Sequence, residues 1–278
     1  MSTLVIGSGG MLGRAWIALL KSEGSPHEGI DYPDFDLTKS DDLARITSAH
    51  SLVVCCAAYT DVDGAETDEA RASAVNGDAI GALARRCAEL DVPLIHYSTD
   101  YVFDGSGTVP YPTGAPIDPI NAYGRSKALG ETAVADAGGQ HLIIRTSWLY
   151  APWAKNFVLT MAKLTADKDA LTVVNDQRGR PTSSEHLARV SRDLHEGGHR
   201  GVFHVTDGGE CTWHELASFV SEHLGNECDI APCSSEAFPR PAPRPAYSVL
   251  DLSATVAAVG EMSDWKANVA AALDAWRA

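Results

Sequence analysis

The chain has 278 residues, a formal net charge of -15, 45% hydrophobic side chains and 21% charged side chains. This composition is typical of a soluble α/β enzyme, and the negative charge argues against a nucleic-acid-binding or membrane-surface protein. No apolar stretch of about 18 residues predicts a transmembrane helix, and six cysteines without paired CxxC spacing indicate reduced thiols, so we expect a cytoplasmic protein without a secretory signal.

The first predicted elements are a strand, a glycine-rich turn and a helix. The strand covers residues 3–6, GSGGMLG follows, and a helical pattern covers residues 14–21. This order is the context of a dinucleotide-binding fingerprint. Gly7 would allow the tight turn, Gly10 the approach of a pyrophosphate, and Gly13 the packing of helix against strand. The segment therefore predicts a dinucleotide site at a helix N-terminus.

An acidic residue about 20 positions further on is expected to contact the adenosine ribose. Asp31 fits this position, with Glu28 or Asp34 as alternatives. A carboxylate suits a 2′-hydroxyl better than a 2′-phosphate, which favours NADH slightly over NADPH. Asp36 is a candidate for the adenine amino group, with a solvated turn residue as the alternative.

Two further elements are predicted before residue 60. Residues 36–38 should begin a helix that is capped by Thr38 or Ser40. The apolar run at residues 51–58 predicts a parallel strand buried on both faces. Its end, at residues 58–60, should lie at the edge of the sheet where ligands bind.

One predicted helix over residues 69–90 leads into a strand that begins at Leu94. The alternation of strands and helices predicts a doubly wound, Rossmann-like parallel sheet of the α/β class. We expect this dinucleotide-binding domain to cover residues 1–150, joined by part of 170–200. A smaller α+β substrate-binding domain is expected over most of residues 151–278.

Carbonyl reduction is indicated by Tyr123 and Lys127, which are four residues apart and so share a helix face. A nearby cation favours the phenolate, and lowering a Tyr pKa from ~10 to ~7 requires about 4 kcal/mol. The hydroxyl of Thr99, at the end of the strand from Leu94, could hold the substrate oxygen. The alternative for YxxxK is a solvated Tyr–Lys pair.

The last third of the chain contributes candidates for substrate binding. Residues 141–148 predict another buried strand, which ends in Trp148 as a ligand contact or as core packing. Residues 238–245 form a Pro-rich loop that we expect to be a lid or wall. A pyrophosphate needs cations, and Arg244 is the first candidate and Arg180 the second, with surface salt bridges as the alternative. The histidines lack metal-ligand spacing, so no metal site is predicted.

Motifs along nearly the whole chain resemble the dTDP-4-dehydrorhamnose reductase family of extended short-chain dehydrogenase/reductases. The combination of STDYVFDG, YGxSKxxGE and VNDQxGxPT is highly specific to it. The segments that carry the resemblance are GSGGMLG, CAAYTDVDGAE, VN at 75–76, IHYSTDYVFDG, YGRSKALGE, IIRTSWLYA, NF at 156–157, VVNDQRGRPT and RP with SVLD at 244–251.

The resemblance implies reduction of the C4 ketone of dTDP-4-dehydro-6-deoxy-L-mannose to dTDP-L-rhamnose with NADPH or NADH. It implies that Tyr123 donates the proton and that Lys127 binds the nicotinamide ribose and lowers the Tyr123 pKa. Thr99, Asp100 and Trp148 would contact the sugar, with Thr99 also tuning Tyr123. The residues implied at the cofactor are Gly10, Met11, Leu12, Asp31, Asp36, Leu37, Ala58, Tyr59, Thr60 and Tyr97.

Three positions depart from the family pattern, with Cys55 and Tyr247 in place of Asn and Thr113 in place of Glu. Some members join a dimer through magnesium held by glutamates. Glu185 matches one of these glutamates, but Ala15 replaces another, so we do not expect this metal and leave a homodimer open. The alternatives to the implied activity are a reductase of another nucleotide-linked 4-keto-6-deoxysugar and a non-catalytic relative like the regulatory β subunit of methionine adenosyltransferase.

Overall fold

A parallel sheet lies at the centre of the molecule, whose computed structural model describes residues 1–277. The strands in chain order are β1 (Ser2–Ile6), β2 (His27–Ile30), β3 (His50–Cys55), β4 (Leu94–Thr99), β5 (His141–Thr146), β6 (Leu149–Tyr150), β7 (Ala170–Val174), β8 (Arg178–Gly179), β9 (Thr182–Ser183), β10 (Gly201–His204), β11 (Cys211–Thr212) and β12 (Asp229–Cys233). Six of them form the central sheet in the order β10-β5-β4-β3-β1-β2, and every pair is parallel.

Helices cover both faces of this sheet. In chain order they are α1 (Met11–Ser22), α2 (Ser40–Leu43), α3 (Val62–Thr67), α4 (Glu69–Ser73), α5 (Ala79–Glu89), α6 (Ala122–Ala137), α7 (Phe157–Asp167), α8 (Ser184–Glu196), α9 (Trp213–Leu224), α10 (Ser253–Val259) and α11 (Trp265–Arg277). Helices α1 and α8 pack on one face, and α5 and α6 pack on the other. The predicted doubly wound sheet is confirmed.

The packing of strand β3 explains why apolar residues occupy successive positions in it instead of alternating with polar ones. Val53 and Cys55 face the α5 side, whereas Leu52 and Val54 face α1 and α8. Burying such a side chain contributes about 1.5–3 kcal/mol, so a strand covered on both faces gains from every position. The strand ends at Cys55, earlier than predicted, and the residues that follow it turn to line a cleft.

The chain order of the strands places a crevice next to β1. From β1 the chain passes to β2 on one side and then to β3 on the other, so connections diverge from β1 in opposite directions. This is the topological switch point at which open α/β sheets bind ligands. Gly7 ends β1 there with φ +80°, and a Cβ on it would lie 2.7 Å from the backbone N of Ala57.

The prediction of one α-helix over residues 69–90 was wrong, because a π-helical turn at Ala74–Asp78 separates α4 from α5. Asn76 in this turn is fully buried. Its amide accepts the N–H of Tyr59 and donates to the Tyr59 carbonyl and to Ser126 Oγ, each at 2.9 Å. The wider turn thus directs a side chain inward to hold the loop after β3.

Two other boundaries differ from the prediction. Helix α2 has Lys39 as its N-cap without a side-chain cap, so neither Thr38 nor Ser40 caps it. The Thr38 hydroxyl instead donates to Asp36 at 2.7 Å. Strand β5 ends at Thr146, because Trp148 has φ +47° and turns the chain out of the sheet.

The remaining elements build a second core around α7, α9 and α11, next to the two-stranded sheet of β7 and β12. Two later elements return to the central sheet, since α8 packs on α1 and β10 forms the edge beside β5. The boundary at residue 150 stays a prediction. Within residues 1–277, no helix combines the length and apolar character needed to cross a membrane.

Candidate active site

A cleft of about 1100 Å³ opens at the carboxyl edge of the central sheet. It brings together most of the residues that the sequence singled out, whereas Gly13, Arg180 and Arg244 do not line it. The predicted residues that line it are Gly7, Gly10, Met11, Leu12, Asp31, Asp36, Leu37, Ala58, Tyr59, Thr60, Tyr97, Thr99, Asp100, Tyr123, Lys127 and Trp148.

The glycine turn forms one end of the cleft. Gly10 is the N-cap of α1 and offers no side-chain cap, so N–H groups of the first helical turn are available to a phosphate. Gly13 acts beneath the turn, where a Cβ would lie 2.1 Å from the Gly7 carbonyl oxygen. The free N–H groups and the absence of a side chain at Gly10 leave a cradle that fits the pyrophosphate of a nicotinamide dinucleotide, and Gly13 allows the turn beneath it to pack closely.

Asp31 lies beside this turn. One carboxylate oxygen accepts the N–H of Gly9 at 2.7 Å and the other accepts the N–H of Tyr32 at 2.8 Å. The alternatives Glu28 and Asp34 do not line the cleft. In the described part of the chain, the lining cations are Arg71 and Lys127.

Tyr123 and Lys127 lie near the start of α6. The Asn121 side chain caps this helix by accepting the N–H of Gly124 at 2.7 Å. Gly124 allows close packing, because a Cβ there would lie 2.1 Å from the Tyr101 carbonyl oxygen. Burial lowers the pKa of Lys127 to about 8, and Cys55 and Glu131 counteract this shift.

The pKa of Tyr123 lies above its ordinary value, because burial and the nearby Asp100 carboxylate disfavour the phenolate. A hydrogen bond with Thr99 works in the opposite direction. Tyr123 therefore holds its proton at neutral pH, which is the form that a proton donor requires. Lys127 is not among the groups that shift this pKa, so its expected effect stays a prediction.

Thr99 and Asp100 form the floor beside Tyr123. The Thr99 hydroxyl donates to Asp100 at 2.9 Å and accepts the N–H of Tyr101 at 3.2 Å. Burial raises the pKa of Asp100 to about 6. Its second oxygen, Oδ2, is buried, and hydrogen bonds with Ser248 and Thr99 oppose the effect of burial on this pKa.

Trp148 belongs to an aromatic wall of the cleft. Its ring stacks on Trp213 with centroids 3.6 Å apart and an interplanar angle of 13°. Gly179 makes room, since a Cβ there would lie 2.7 Å from the Trp148 ring. Phe157 contacts Trp213 from behind. Such a wall suits a flat base or the apolar face of a sugar.

The two arginine candidates differ in their surroundings. Arg244 donates to Asp63 at 2.9 Å and to the Ala242 carbonyl at 2.7 Å, and Arg240 pairs with the same carboxylate. Arg180 has no ion pair among the described residues, and its buried Nε lacks a hydrogen-bond partner there. Arg244 is therefore already paired, and its contact with Asp63 connects the Pro-rich loop to α3.

The cleft is also lined by residues that the sequence analysis did not assign, among them Arg71, Tyr101, Ser147 and Trp213. Tyr101 and Ser147 directly adjoin residues that were assigned, and the order of strand ends could have suggested them. Trp213 directly follows Thr212, the N-cap of α9. The capping signal predicts the start of this helix but does not indicate that the Trp213 side chain lines the cleft. Arg71 carries no such signal.

The described residues offer no metal site, since no group of three or more His, Cys, Asp or Glu side chains among them could hold an ion. Glu185 is exposed, and Ala15 is buried in the core between α1 and the sheet. All six cysteines are free thiols; Cys55, Cys87 and Cys211 are buried, and the other three are partly exposed.

Comparison with known proteins identifies close relatives along the whole chain. The RmlD substrate binding domain family matches residues 1–278. The dTDP-4-dehydrorhamnose reductase of Burkholderia thailandensis is 38% identical and covers 96% of each chain. A dTDP-4-keto-6-deoxy-D-glucose reductase of Streptomyces niveus is 39% identical and covers 89% of this chain and 87% of that protein. The crystal structure of dTDP-4-dehydrorhamnose reductase from Bacillus anthracis in complex with NADP has a TM-score of 0.94 at 30% identity, covering 99% of this chain and 100% of that one.

Proposed function

We propose that this chain, which belongs to the RmlD substrate binding domain family, uses NADH or NADPH to reduce the C4 ketone of dTDP-4-dehydro-6-deoxy-L-mannose to dTDP-L-rhamnose. One observation carries the proposal. Tyr123, Lys127 and Thr99 converge on a cleft whose other end is the glycine turn after β1. A protonated phenol thus lies along the same cleft as a dinucleotide cradle, as carbonyl reduction requires.

In the proposed mechanism, the bound cofactor supplies the hydride and the protein supplies the proton and the geometry. Tyr123 donates its proton to the sugar oxygen as negative charge develops on it. The Thr99 hydroxyl orients that oxygen, and the Asp100 carboxylate beside it contacts the sugar. Lys127 holds the nicotinamide ribose, and Trp148 covers the sugar.

The test is oxidation of NADH or NADPH at 340 nm by the purified protein. The substrate is generated in situ from its glucose-derived precursor by dehydratase and epimerase. Turnover that depends on the epimerase supports the proposed substrate. If neither cofactor is oxidised while both bind, another nucleotide-linked 4-keto-6-deoxysugar is the next substrate to test, and a non-catalytic binding protein is the alternative after that.

A second candidate substrate is dTDP-4-keto-6-deoxy-D-glucose, since the named reductase of that sugar from Streptomyces niveus is as similar to this chain as the dehydrorhamnose reductases are. The same Tyr123 and Lys127 would serve both reactions. Turnover without the epimerase, with a product that differs from dTDP-L-rhamnose on chromatography, would favour this candidate.

Asp31 should set the cofactor preference. Replacing it by Asn removes the charge but keeps an oxygen that can accept the Gly9 N–H. We expect D31N to raise the ratio of kcat/KM for NADPH over NADH by about tenfold, which corresponds to 1.4 kcal/mol, because a 2′-phosphate no longer meets a carboxylate. E28Q is the control, since Glu28 lies outside the cleft. If the ratio of kcat/KM for NADPH over NADH were unchanged in D31N, a residue other than Asp31 would set the cofactor preference.

Arg180 rather than Arg244 is proposed to bind the diphosphate of the substrate, because Asp63 already compensates Arg244. We expect R180M to raise KM for the nucleotide sugar by about 10–100-fold, the worth of one charge-assisted hydrogen bond, with little change in KM for the cofactor. R244M should have a smaller effect. If KM for the nucleotide sugar rose more in R244M than in R180M, Arg244 would again be the first candidate for the diphosphate and Arg180 the second.

Further features belong to the same proposal. We propose a cytoplasmic enzyme with a cofactor-binding part at residues 1–150, joined by part of 170–200, and a mainly substrate-binding part at 151–278. A homodimer without bridging magnesium is compatible with the replacement of the expected glutamate by Ala15. Size-exclusion chromatography with light scattering would test the homodimer. Repeating it with EDTA would test whether magnesium bridges the subunits.

A further inference from the structure

A buried ion pair lies directly behind the proposed active site. Arg145 on β5 donates to both carboxylate oxygens of Glu131 on α6, with Nη2 2.7 Å from Oε2 and Nε 2.9 Å from Oε1. Both side chains are 4% exposed. Buried charges are costly unless their hydrogen bonds are complete, so a fully paired example inside a sheet-helix interface invites a functional explanation.

The position of Glu131 on the helix links the pair to the active site. Glu131 follows Lys127 by four residues, so both side chains lie on the same inner face of α6. The Glu131 carboxylate favours the protonated form of Lys127 and partly offsets the effect of burial on its pKa. The pair therefore acts on the lysine that is proposed to hold the cofactor.

The other titratable groups that face Lys127 supply little charge. Burial raises the pKa of Cys55 on β3 to about 11, so this side chain is a neutral thiol at neutral pH. Burial also lowers the pKa of His96 on β4 well below its ordinary value, so the imidazole is neutral. Tyr123 holds its proton. Glu131 is thus the negative group that the described residues place beside Lys127.

Arg145 also extends the pair to two loops. Its Nη1 donates to the Thr113 carbonyl at 2.9 Å and lies 3.3 Å from His204 Nε2. His204 Nδ1 lies 3.1 Å from the Asp251 carbonyl, so this nitrogen carries the proton and Nε2 accepts from Arg145. One guanidinium thus joins α6, the loop between β4 and α6, and the segment before α10.

We propose that the Glu131–Arg145 pair positions Lys127 and preserves its positive charge, and that Arg145 fixes the loop containing Thr113 to the same point. The two side chains contact neither cofactor nor substrate in this role; they act through Lys127. The inference rests on the role proposed above for Lys127. The experiment distinguishes a failure of that role from a failure of the positioning role of the pair.

The same helix provides a matched control. Arg125 on α6 makes a two-point ion pair with Glu69 at 2.7 and 2.8 Å, but both side chains are more than 40% exposed. Solvent screens such a surface pair. E69Q therefore removes a carboxylate of similar geometry, carried by α4 and paired with an arginine of α6, without altering the surroundings of Lys127.

The experiment measures the affinity for NADH by fluorescence between pH 6 and pH 10, together with the pH profile of kcat. The wild type should lose affinity as Lys127 deprotonates near pH 8. E131Q should move this midpoint to lower pH by about one unit, because the nearby negative charge is lost. E69Q should leave it unchanged. R145K, which keeps the charge but not the two-point geometry, should retain the midpoint and lower kcat.

The outcomes are distinct. If the midpoint persists in K127M, Lys127 does not bind the cofactor and the proposed function fails at this residue. If K127M abolishes it and E131Q keeps the wild-type value, the positioning role of the pair is wrong. Should E131Q not fold, E131L/R145M replaces the whole pair by apolar side chains, a change that buried pairs often tolerate. Because it removes a negative and a positive charge together, it should shift the midpoint to lower pH by less than E131Q does, and a wild-type midpoint would again overturn the inference.

Discussion

Replacing Tyr123 with phenylalanine is expected to lower kcat by about 10³-fold, within the range that general acids contribute. The phenol is the proton source for the developing alkoxide, and its raised pKa keeps that proton in place until the hydride moves. Because Phe retains the ring and its packing against Tyr101, the affinity for NADH should stay within a few-fold of the wild type.

Stopped-flow oxidation of NADH and its deuterated form would measure the effect on the chemical step. Circular dichroism and fluorescence titration of the cofactor would show that Y123F is folded and loaded. A kcat within tenfold of the wild type would mean that another group or water supplies the proton, and the mechanism would have to be rebuilt around Thr99 or Asp100.

Gly13→Ala is expected to be the most damaging small substitution in the cofactor site. The new Cβ would lie 2.1 Å from the Gly7 carbonyl oxygen and 2.7 Å from Ser8 Cα, and both are backbone atoms. Overpacking typically costs about 1–3 kcal/mol, and the turn must move to relieve it. We expect about a 100-fold loss of affinity for NADH, equivalent to about 2.7 kcal/mol.

Gly114→Ala is the matched control, because a Cβ there would meet no atom within 4 Å and the residue has no positive φ. Thermal unfolding and fluorescence titration of both variants would separate the local clash from a general effect of replacing glycine. If G13A bound NADH as tightly as the wild type, the turn would have to adapt without loss, and the packing role given to Gly13 would be incorrect.

Local patterns were sufficient to predict the central sheet, the glycine turn and the edge at which the cleft lies, whereas most of the individual cleft residues came from the family resemblance. The glycine turn follows from strand, turn and helix signals within 21 residues of the N-terminus. Helical spacing places Tyr123 and Lys127 on one face, and the accompanying motifs favour a catalytic pair over a solvated one. Strand β3 was recognisable because burial on both faces removes alternation. In each case the information lies within one or two adjacent elements.

Contacts between distant segments limited the prediction of the rest. The π-helical turn exists because Asn76 reaches Tyr59 and Ser126, and no local pattern reports those partners. The interaction of Arg244 with Asp63 joins residues 181 positions apart. The sequence could therefore identify Arg244 as a candidate for binding the diphosphate, but it could not show that Asp63 already forms an ion pair with it.

The edge position of β10 has a consequence for how the protein is made. A ribosome delivers β1 to β5 first, then β6 to β9 and α7 with α8, and only afterwards the strand Gly201–His204 that completes the sheet. Until then the outer edge of β5 presents unpaired backbone groups, the template for unwanted strand pairing. The nascent chain therefore passes through an aggregation-prone stage, and a truncation before residue 201 would retain it permanently.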